Sequence, residues 1–337
     1  MIIHHSRGSY PVEFTTMKAA LAEPSGLIVT DHNVEVAWSP AFGSAPRIVL
    51  PPGEETKSLE HYGHLVRDLA HRGVKRSDAI LAVGGGVVGD LAGFAAATYM
   101  RGIAYTQVPT TLLAMVDSAV GGKVGIDLPE GKNLAGAFWA PIAVKMPLDS
   151  LKTLPERHFR NGLAEVWKYG FIMDPMLCET LAKKTLRADS PELESVIRRC
   201  VTLKSGIVQE DEHDRLGRRA MLNFGHTVGH ALEKVTGYVG LLHGEAIAIG
   251  MVIEAKLGEA LGLTRKGVAD SIRTWLHQDG LPVSFPHVGS PQVIAAMRGD
   301  KKVERAGLAF SFVTEVGRCK LVDGIAEAEV AAILSEL

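Results

Sequence analysis

Apolar residues in the first half of the chain fall into short runs, in GLIVTD, RIVLPPGEE, AILAVGGG and AYTQVPTT, that pass into polar or turn-forming residues. Between them, LEHYGHLVRDLAHRGV repeats its apolar positions at helical intervals. Strand runs alternating with helices give the rhythm of a parallel sheet wrapped by helices. After about residue 150 the β-branched runs give way to Ala, Leu and Glu-rich stretches of helical period, such as SPELESVIRRCVTLKSGIV. LKTLP, residues 151–155, ends in a proline that can open a helix, so the boundary is predicted there. The apolar stretch AIAIGMVIEAKLGEALGL is broken by Glu254, Lys256 and Glu259, which marks a helix buried on most of its circumference.

The pattern predicts an α/β N-terminal domain with a Rossmann-like, mostly parallel sheet over residues 1–150. A mainly α-helical C-terminal domain over 151–337 is expected to follow. Two domains suit a chain of 337 residues, more than one core usually serves. The 36 basic and 38 acidic residues form no long run of one sign, which argues against nucleic acid and membrane partners. MIIHHSRGSYPVEF lacks the pattern of a signal peptide, and no apolar stretch is long enough to cross a bilayer. Cys178, Cys200 and Cys319 are far apart and never in a C-x-x-C pair. A soluble protein of a reducing cytoplasm is the expectation.

The first candidate chemistry lies in AILAVGGGVVGDLAGFAAA, where a buried-strand pattern runs into Gly84, Gly85 and Gly86 and then into a small-residue helix. Gly84, Gly86 and Gly89 satisfy G-x-G-x-x-G in a strand-turn-helix setting, which lets backbone N–H groups approach a pyrophosphate at a helix N-terminus. The plainer alternative is a tight turn packed on a neighbouring helix. No acid follows at the usual distance to hold a ribose, so a dinucleotide would lie across several loops, with Asp31, Asp90 and Asp117 as the nearby acids.

LNFGHTVGHALEKV sets His226 and His230 at i and i+4 on one helix face, and His243 follows in LLHGEA. Glu165, with Lys168 one turn along, is an acid among apolar neighbours in NGLAEVWKYG. One histidine in an apolar helix is usually a satisfied core residue, but a buried acid with several histidines is costly without a ligand. Three imidazoles and a carboxylate exceed the needs of an open zinc site, so at least one should serve a substrate; spacing leaves open which. Nitrogen and carboxylate donors suit zinc, cobalt or iron. Lys123, Lys132 with Asn133, Lys204, Arg219, and Lys301 with Lys302 are each readable as solvated charges, yet together they suggest an anionic substrate.

GGGVVGDLAGFAAATYMRG, QVPTTLLAMVDSAVGGKVGID, GKNLAGAF, LKTLP, GLAEVWKYG, LNFGHTVGHALE, HGEAIAIGM and RGDKKV, in this order, closely resemble 3-dehydroquinate synthase from about Gly53 to Lys302. The resemblance implies a homodimer with an NAD-binding α/β domain, a helical domain that binds metal and substrate, and an active site in the cleft between them. It implies Glu165, His226 and His243 as ligands of Zn2+ or Co2+, with His230 and Asn223 facing the substrate phosphate. Lys123, Asn133 and Lys302 would join the phosphate and ring contacts, Arg219 and Lys204 the carboxylate, and Asp117 and Lys168 the hydroxyls and metal. Arg101 would reach the phosphate of the neighbouring subunit. NAD would meet Asp31, Glu54, Lys57, the loop Gly85, Gly86, Val87, Val88, Gly89 and Asp90, then Thr110, Thr111, Lys123, Lys132 and Thr153.

The implied reaction turns 3-deoxy-D-arabino-heptulosonate 7-phosphate, a phosphorylated sugar acid, into 3-dehydroquinate and phosphate. It proceeds by transient oxidation with NAD, β-elimination, re-reduction and an intramolecular aldol closure. His158 stands where that family usually has an acid, Ser150 replaces a commonly larger residue, and Arg219 is chosen over Arg218 by counting back from Asn223. The alternatives are another sugar phosphate cyclase of the deoxy-inosose or valiolone synthase type, a metal-dependent polyol dehydrogenase, and a nucleotide-binding regulator that has lost catalysis.

Overall fold

The computed structural model describes residues 1–22, 26–214, 216–284, 290–298 and 307–335. Strands β1 (Ile2–His5), β2 (Gly8–Thr15), β3 (Gly26–Asp31), β4 (Arg47–Leu50), β5 (Ala79–Gly84), β6 (Ala104–Pro109), β7 (Lys123–Leu128), β8 (Gly131–Phe138) and β9 (Ala143–Pro147) lie in the first half. Helices α1 (Met17–Ala20), α2 (His32–Phe42), α3 (Leu59–His71) and α4 (Gly86–Thr98) run among them. Then come α5 (Glu156–Met173), α6 (Pro175–Lys183), α7 (Leu193–Glu210), α8 (His226–Val235), α9 (His243–Ala260), α10 (Val268–Gln278) and α11 (Ser290–Arg298). A hairpin of β10 (Leu308–Glu315) and β11 (Arg318–Ile325) precedes α12 (Glu327–Ser335).

Contacts divide the chain into one unit of Met1–Pro155 with Ala188–His213 and another of Glu156–Arg187 with Asp214–Leu337. The helical segment 188–213, which its texture groups with the second half, packs with the first unit: α7 lies on β1 and on the π-helical turn Ala114–Ser118.

The first unit is built on a seven-stranded sheet of order β1-β2-β9-β6-β5-β3-β4, parallel throughout except for the β1–β2 hairpin. Every residue of β5 is buried, as expected for a central parallel strand covered on both faces. The period of two sorts its side chains: Ile80 and Ala82 join Leu27 and Val29 in one core, whereas Leu81 and Val83 join Ile28 in the other. From β3 the chain goes outward to β4 and then returns to β5 on the other side of β3. Asp31 and Gly84, at the carboxyl ends of β3 and β5, therefore flank the switch point where such sheets bind ligands.

In the second unit α9 runs through the middle, packed by α5, α8 and α10. Its core joins Val228, Leu232, Ile249 and Ile253 to Phe310 and Phe312 of β10. A Cβ on Gly250 would stand 2.0 Å from the Gly225 carbonyl, so a glycine is required where α9 meets the start of α8. Trp167 of α5 stacks on Trp275 of α10, centroids 5.7 Å apart, and its Nε1–H donates to Asp279 at 2.7 Å.

Candidate metal centre and nucleotide loop

Three helices of the second unit converge on Glu165. This residue is 0 % exposed on α5, and Lys168, 2 % exposed and one turn further, pairs with its Oε2. His226, the first residue of α8, points Nε2 to within 3.5 Å of Glu165 Oε1, and His243, the first residue of α9, does so at 3.7 Å. One donor atom from each of the three lies within 4.8 Å of the others. That spacing suits one ion at the ~2.0–2.2 Å bond lengths of zinc to nitrogen and carboxylate, with a fourth position open. The residues present fit a catalytic zinc or cobalt site.

Charge agrees with geometry. Burial and the neighbouring Lys168 ammonium push His226 well below the usual imidazole range, so it stands neutral with a lone pair to give. Burial pushes His243 the other way from its partners, but hydrogen bonds to Glu165 and Glu233 prevail and raise it to about 10. The space beside Glu165 thus favours a cation.

Two acids support these imidazoles. Glu233 lies 3.4 Å from His243 Nδ1, and its place three residues after His230 puts it on the same face of α8. Glu254, fully buried on α9, accepts the Gly225 N–H at 2.7 Å and the Val228 N–H at 3.1 Å, satisfying the first turn of α8 and so fixing where His226 begins. Neither was singled out from the sequence as a site residue; the helical spacing of Glu233 was the available signal. His230 is exposed and groups with Glu233 and His243 rather than with Glu165. In the turn Arg218–Asn223, Arg219 is 6 % exposed whereas Arg218 and Asn223 are exposed. His158 is exposed at the start of α5. Lys301 and Lys302 lie outside the described residues.

The glycine loop of the first unit joins β5 to α4 directly. Gly85 caps the helix, and a Cβ on Gly89 would stand 2.8 Å from Gln107 Oε1, so the third glycine permits close packing of α4 on β6. Gly85, Gly86, Val87 and Asp90 are half-buried, while the Val88 side chain is in the core and offers only backbone. Thr110 donates its N–H to the Gly84 carbonyl at 2.9 Å, and Thr111 Oγ1 accepts the Ala114 N–H at 3.1 Å. Asp31 caps α2 by accepting the Val34 N–H at 3.0 Å. Thr153 accepts the Trp38 indole N–H at 3.0 Å and donates to Ser150.

Beside the loop, Lys57 is 4 % exposed and pairs with Asp90 at 2.9 Å; Glu54 lies 3.6 Å from Lys57 and 3.8 Å from Lys132. Asp117 sits in the π-helical turn, where Lys204 of α7 donates to both its carbonyl and its Oδ1 at 2.6 Å. This clamp accounts for the burial of Lys204. Lys123 is exposed at the start of β7, its Nζ 6.0 Å from the Phe138 ring centroid. Arg101 is exposed, and both Met100 and Arg101 adopt positive φ, 51° and 64°. Strain of this kind in consecutive non-glycine residues concentrates at functional positions.

Comparisons with known proteins point to one family along most of the chain. Residues 47–161 match the family model described as 3-dehydroquinate synthase N-terminal, and residues 162–303 match the C-terminal model. A 3-dehydroquinate synthase from Opitutus terrae is 48 % identical over 316 residues, covering 90 % of this chain and 86 % of the relative. Among solved structures, a 2-epi-5-epi-valiolone synthase from Streptomyces hygroscopicus subsp. jinggangensis 5008 with NAD+ and Zn2+ bound superposes with a TM-score of 0.90 at 26 % identity, covering 100 % of this chain and 98 % of the other. A 2-deoxy-scyllo-inosose synthase complexed with carbaglucose-6-phosphate, NAD+ and Co2+ gives a TM-score of 0.86 at 25 % identity, covering 100 % and 99 %.

Proposed function

The chain belongs to the 3-dehydroquinate synthase family, and from that premise we propose that it converts 3-deoxy-D-arabino-heptulosonate 7-phosphate into 3-dehydroquinate and phosphate, in the shikimate route to aromatic amino acids. It is a carbon-oxygen lyase acting on a phosphorylated sugar, with NAD and a Zn2+ or Co2+ ion as cofactors. The observation that carries the reading is the convergence of Glu165, His226 and His243 in a chain of this family. When bound, NAD supplies a hydride acceptor and the metal ion polarises the oxygen being oxidised.

The protein's own residues orient and charge the site. Glu165, His226 and His243 hold the ion, and Lys168 pairs with the Glu165 oxygen that does not face the imidazoles. Lys204 holds Asp117 in place for the ring hydroxyls and reaches the substrate carboxylate beside it. Arg219, buried where Arg218 is exposed, supplies the planar fork for that carboxylate. His230, Asn223, Lys123, Asn133 and Lys302 meet the phosphate and ring. NAD is held by Asp31, Glu54, Lys57, the loop from Gly85 to Asp90, Thr110, Thr111, Lys132 and Thr153. The chain acts as a cytoplasmic homodimer in which Arg101 serves the neighbouring site, and its exposed, left-handed backbone supports that role. Among the described residues no helix is long and apolar enough to cross a membrane.

Identity of 48 % to a 3-dehydroquinate synthase, against 25–26 % to the other cyclases, and the buried Arg219 favour a substrate bearing a carboxylate. The test is phosphate release from the heptulosonate phosphate, with the product identified by mass and a phosphorylated sugar lacking the carboxylate as competitor. Faster turnover of the competitor overturns the reading in favour of another cyclase. Mixed dimers of Arg101→Ala and Lys123→Ala chains are expected to regain partial activity; confirmed mixed dimers without recovery would remove Arg101 from the neighbouring site.

A further inference from the structure

A ring of side chains ties the glycine loop to the β7–β8 hairpin. Lys57 Nζ donates to Asp90 Oδ2 at 2.9 Å and to Asn133 Oδ1 at 2.7 Å. Asp127 closes the ring. Its Oδ1 accepts the Asn133 N–H at 2.7 Å, and its own N–H donates to the Lys57 carbonyl at 2.7 Å. It sits at the register shift between Ile126 and Leu128, where β7 departs from regular pairing with β8. Shifts of this kind re-aim side chains.

Asn133 is held at a φ of 53°. Asparagine tolerates this left-handed region better than most residues, but the conformation persists only where neighbours enforce it. The Asp127 carboxylate is the group that does so here, through the Asn133 N–H. Chemistry then fixes the amide. An ammonium has donors and no acceptor, so Lys57 must face the amide oxygen, and the Asn133 Nδ2 with its two N–H groups is turned away from Lys57 at an exposed position. The side chain is presented as a donor, which suits an oxygen-rich anion.

We propose that Asp127 is the positioning residue for Asn133: it holds the left-handed backbone that keeps the amide oxygen on Lys57 and turns the amide N–H groups toward the phosphorylated substrate. The ligand's identity rests on the function proposed above; the positioning does not. Through one lysine the same ring joins Asp90 of the glycine loop to Asn133, and Asp127 bonds Asn133 directly.

The test compares Asp127→Ala, Asp127→Asn, Asn133→Ala and the Asp127→Ala, Asn133→Ala double variant by steady-state phosphate release, NAD titration, and hydrogen exchange of the segment 131–138. Asp127→Ala is expected to raise KM for the heptulosonate phosphate about tenfold, the loss of roughly one hydrogen bond, while NAD affinity stays within about twofold. Asp127→Asn recovers most of that loss, because its amide oxygen still accepts the Asn133 N–H. The double variant matches Asn133→Ala alone, since a residue acting through another has nothing left to position. Additive losses in the double variant, or equal losses of NAD and substrate affinity in Asp127→Ala, overturn the proposal. Should the wild type release no phosphate, the functional reading fails by itself, and exchange then decides the positioning. Faster exchange over 131–138 in Asp127→Ala, reversed in Asp127→Asn, upholds it; unchanged protection overturns it.

Discussion

Replacing Lys57 with methionine keeps most of the side-chain volume but removes a buried cation that lies among three carboxylates beside the glycine loop. Asp90 lies 2.9 Å away, Glu54 3.6 Å and Asp127 4.0 Å, and the Lys57 side chain is only 4 % exposed. Glu54, 41 % exposed and also near Lys132, can be rehydrated, so the penalty falls on Asp90 and Asp127, with side chains 17 % and 19 % exposed. Stranding one partner of a buried pair costs about 3–5 kcal/mol. The partial exposure of Asp90 and Asp127 puts the expected loss at the lower end, about 3 kcal/mol at pH 7.5.

The loss depends on pH, with a definite sign. Burial already raises both aspartates above their usual range, and Lys57 is the first of the influences pulling them back. Without it both rise further, so the folded state keeps protons that the unfolded chain has released. Stability of the variant therefore falls, relative to wild type, as pH climbs from the ordinary aspartate value through the raised ones. Urea unfolding at pH 5 and pH 7.5 measures this, with a smaller deficit expected at pH 5. A deficit below about 1 kcal/mol, or one independent of pH, would refute the assignment of Lys57 as the buried counter-charge of this cluster.

Two substitutions separate the metal from the substrate. His226→Ala is expected to weaken zinc binding more than about a hundredfold, beyond the cost of losing an outer-shell partner, and to abolish activity; activity retained with no bound metal would contradict the ligand set. His230→Ala is expected to leave zinc content unchanged and raise KM for the phosphorylated substrate by about 10–100-fold, the worth of a hydrogen bond to a charged group. Loss of zinc in that variant would make His230 a ligand.

The strands most plainly legible in the sequence are those whose burial is nearly complete. β3, β5 and β6 are covered on both faces, so their apolar runs stand out from the polar turns around them. The hairpin of β7 and β8 was hidden by its glycines and lysines, and β11 by a mostly exposed face, RCKLVDGI. The alternation in LAFSFV was the one signal for β10. Helical period identified α7 as a helix but carries no information on which unit it packs against, and α7 is what brings Lys204 to Asp117. At the metal centre, residue chemistry pointed to the cluster, while the i, i+4 spacing of His226 and His230 left the ligand set open. Only the packing of α5, α8 and α9 brings Glu165 to the Nε2 atoms of His226 and His243. Asp127 and Glu254 were unreadable as site residues for the same reason, since their roles come from a register shift and a close helix contact.

The central claim is that NAD is used and restored within each turnover at the Glu165, His226 and His243 centre. The direct measurement follows phosphate release and NADH absorbance together, with zinc-loaded protein, excess heptulosonate phosphate and NAD far below the substrate concentration. Many phosphates are expected to be released per NAD, with no net accumulation of NADH. NADH that accumulates one per substrate oxidised until the NAD is consumed, without phosphate release, would contradict it and make the chain a dehydrogenase.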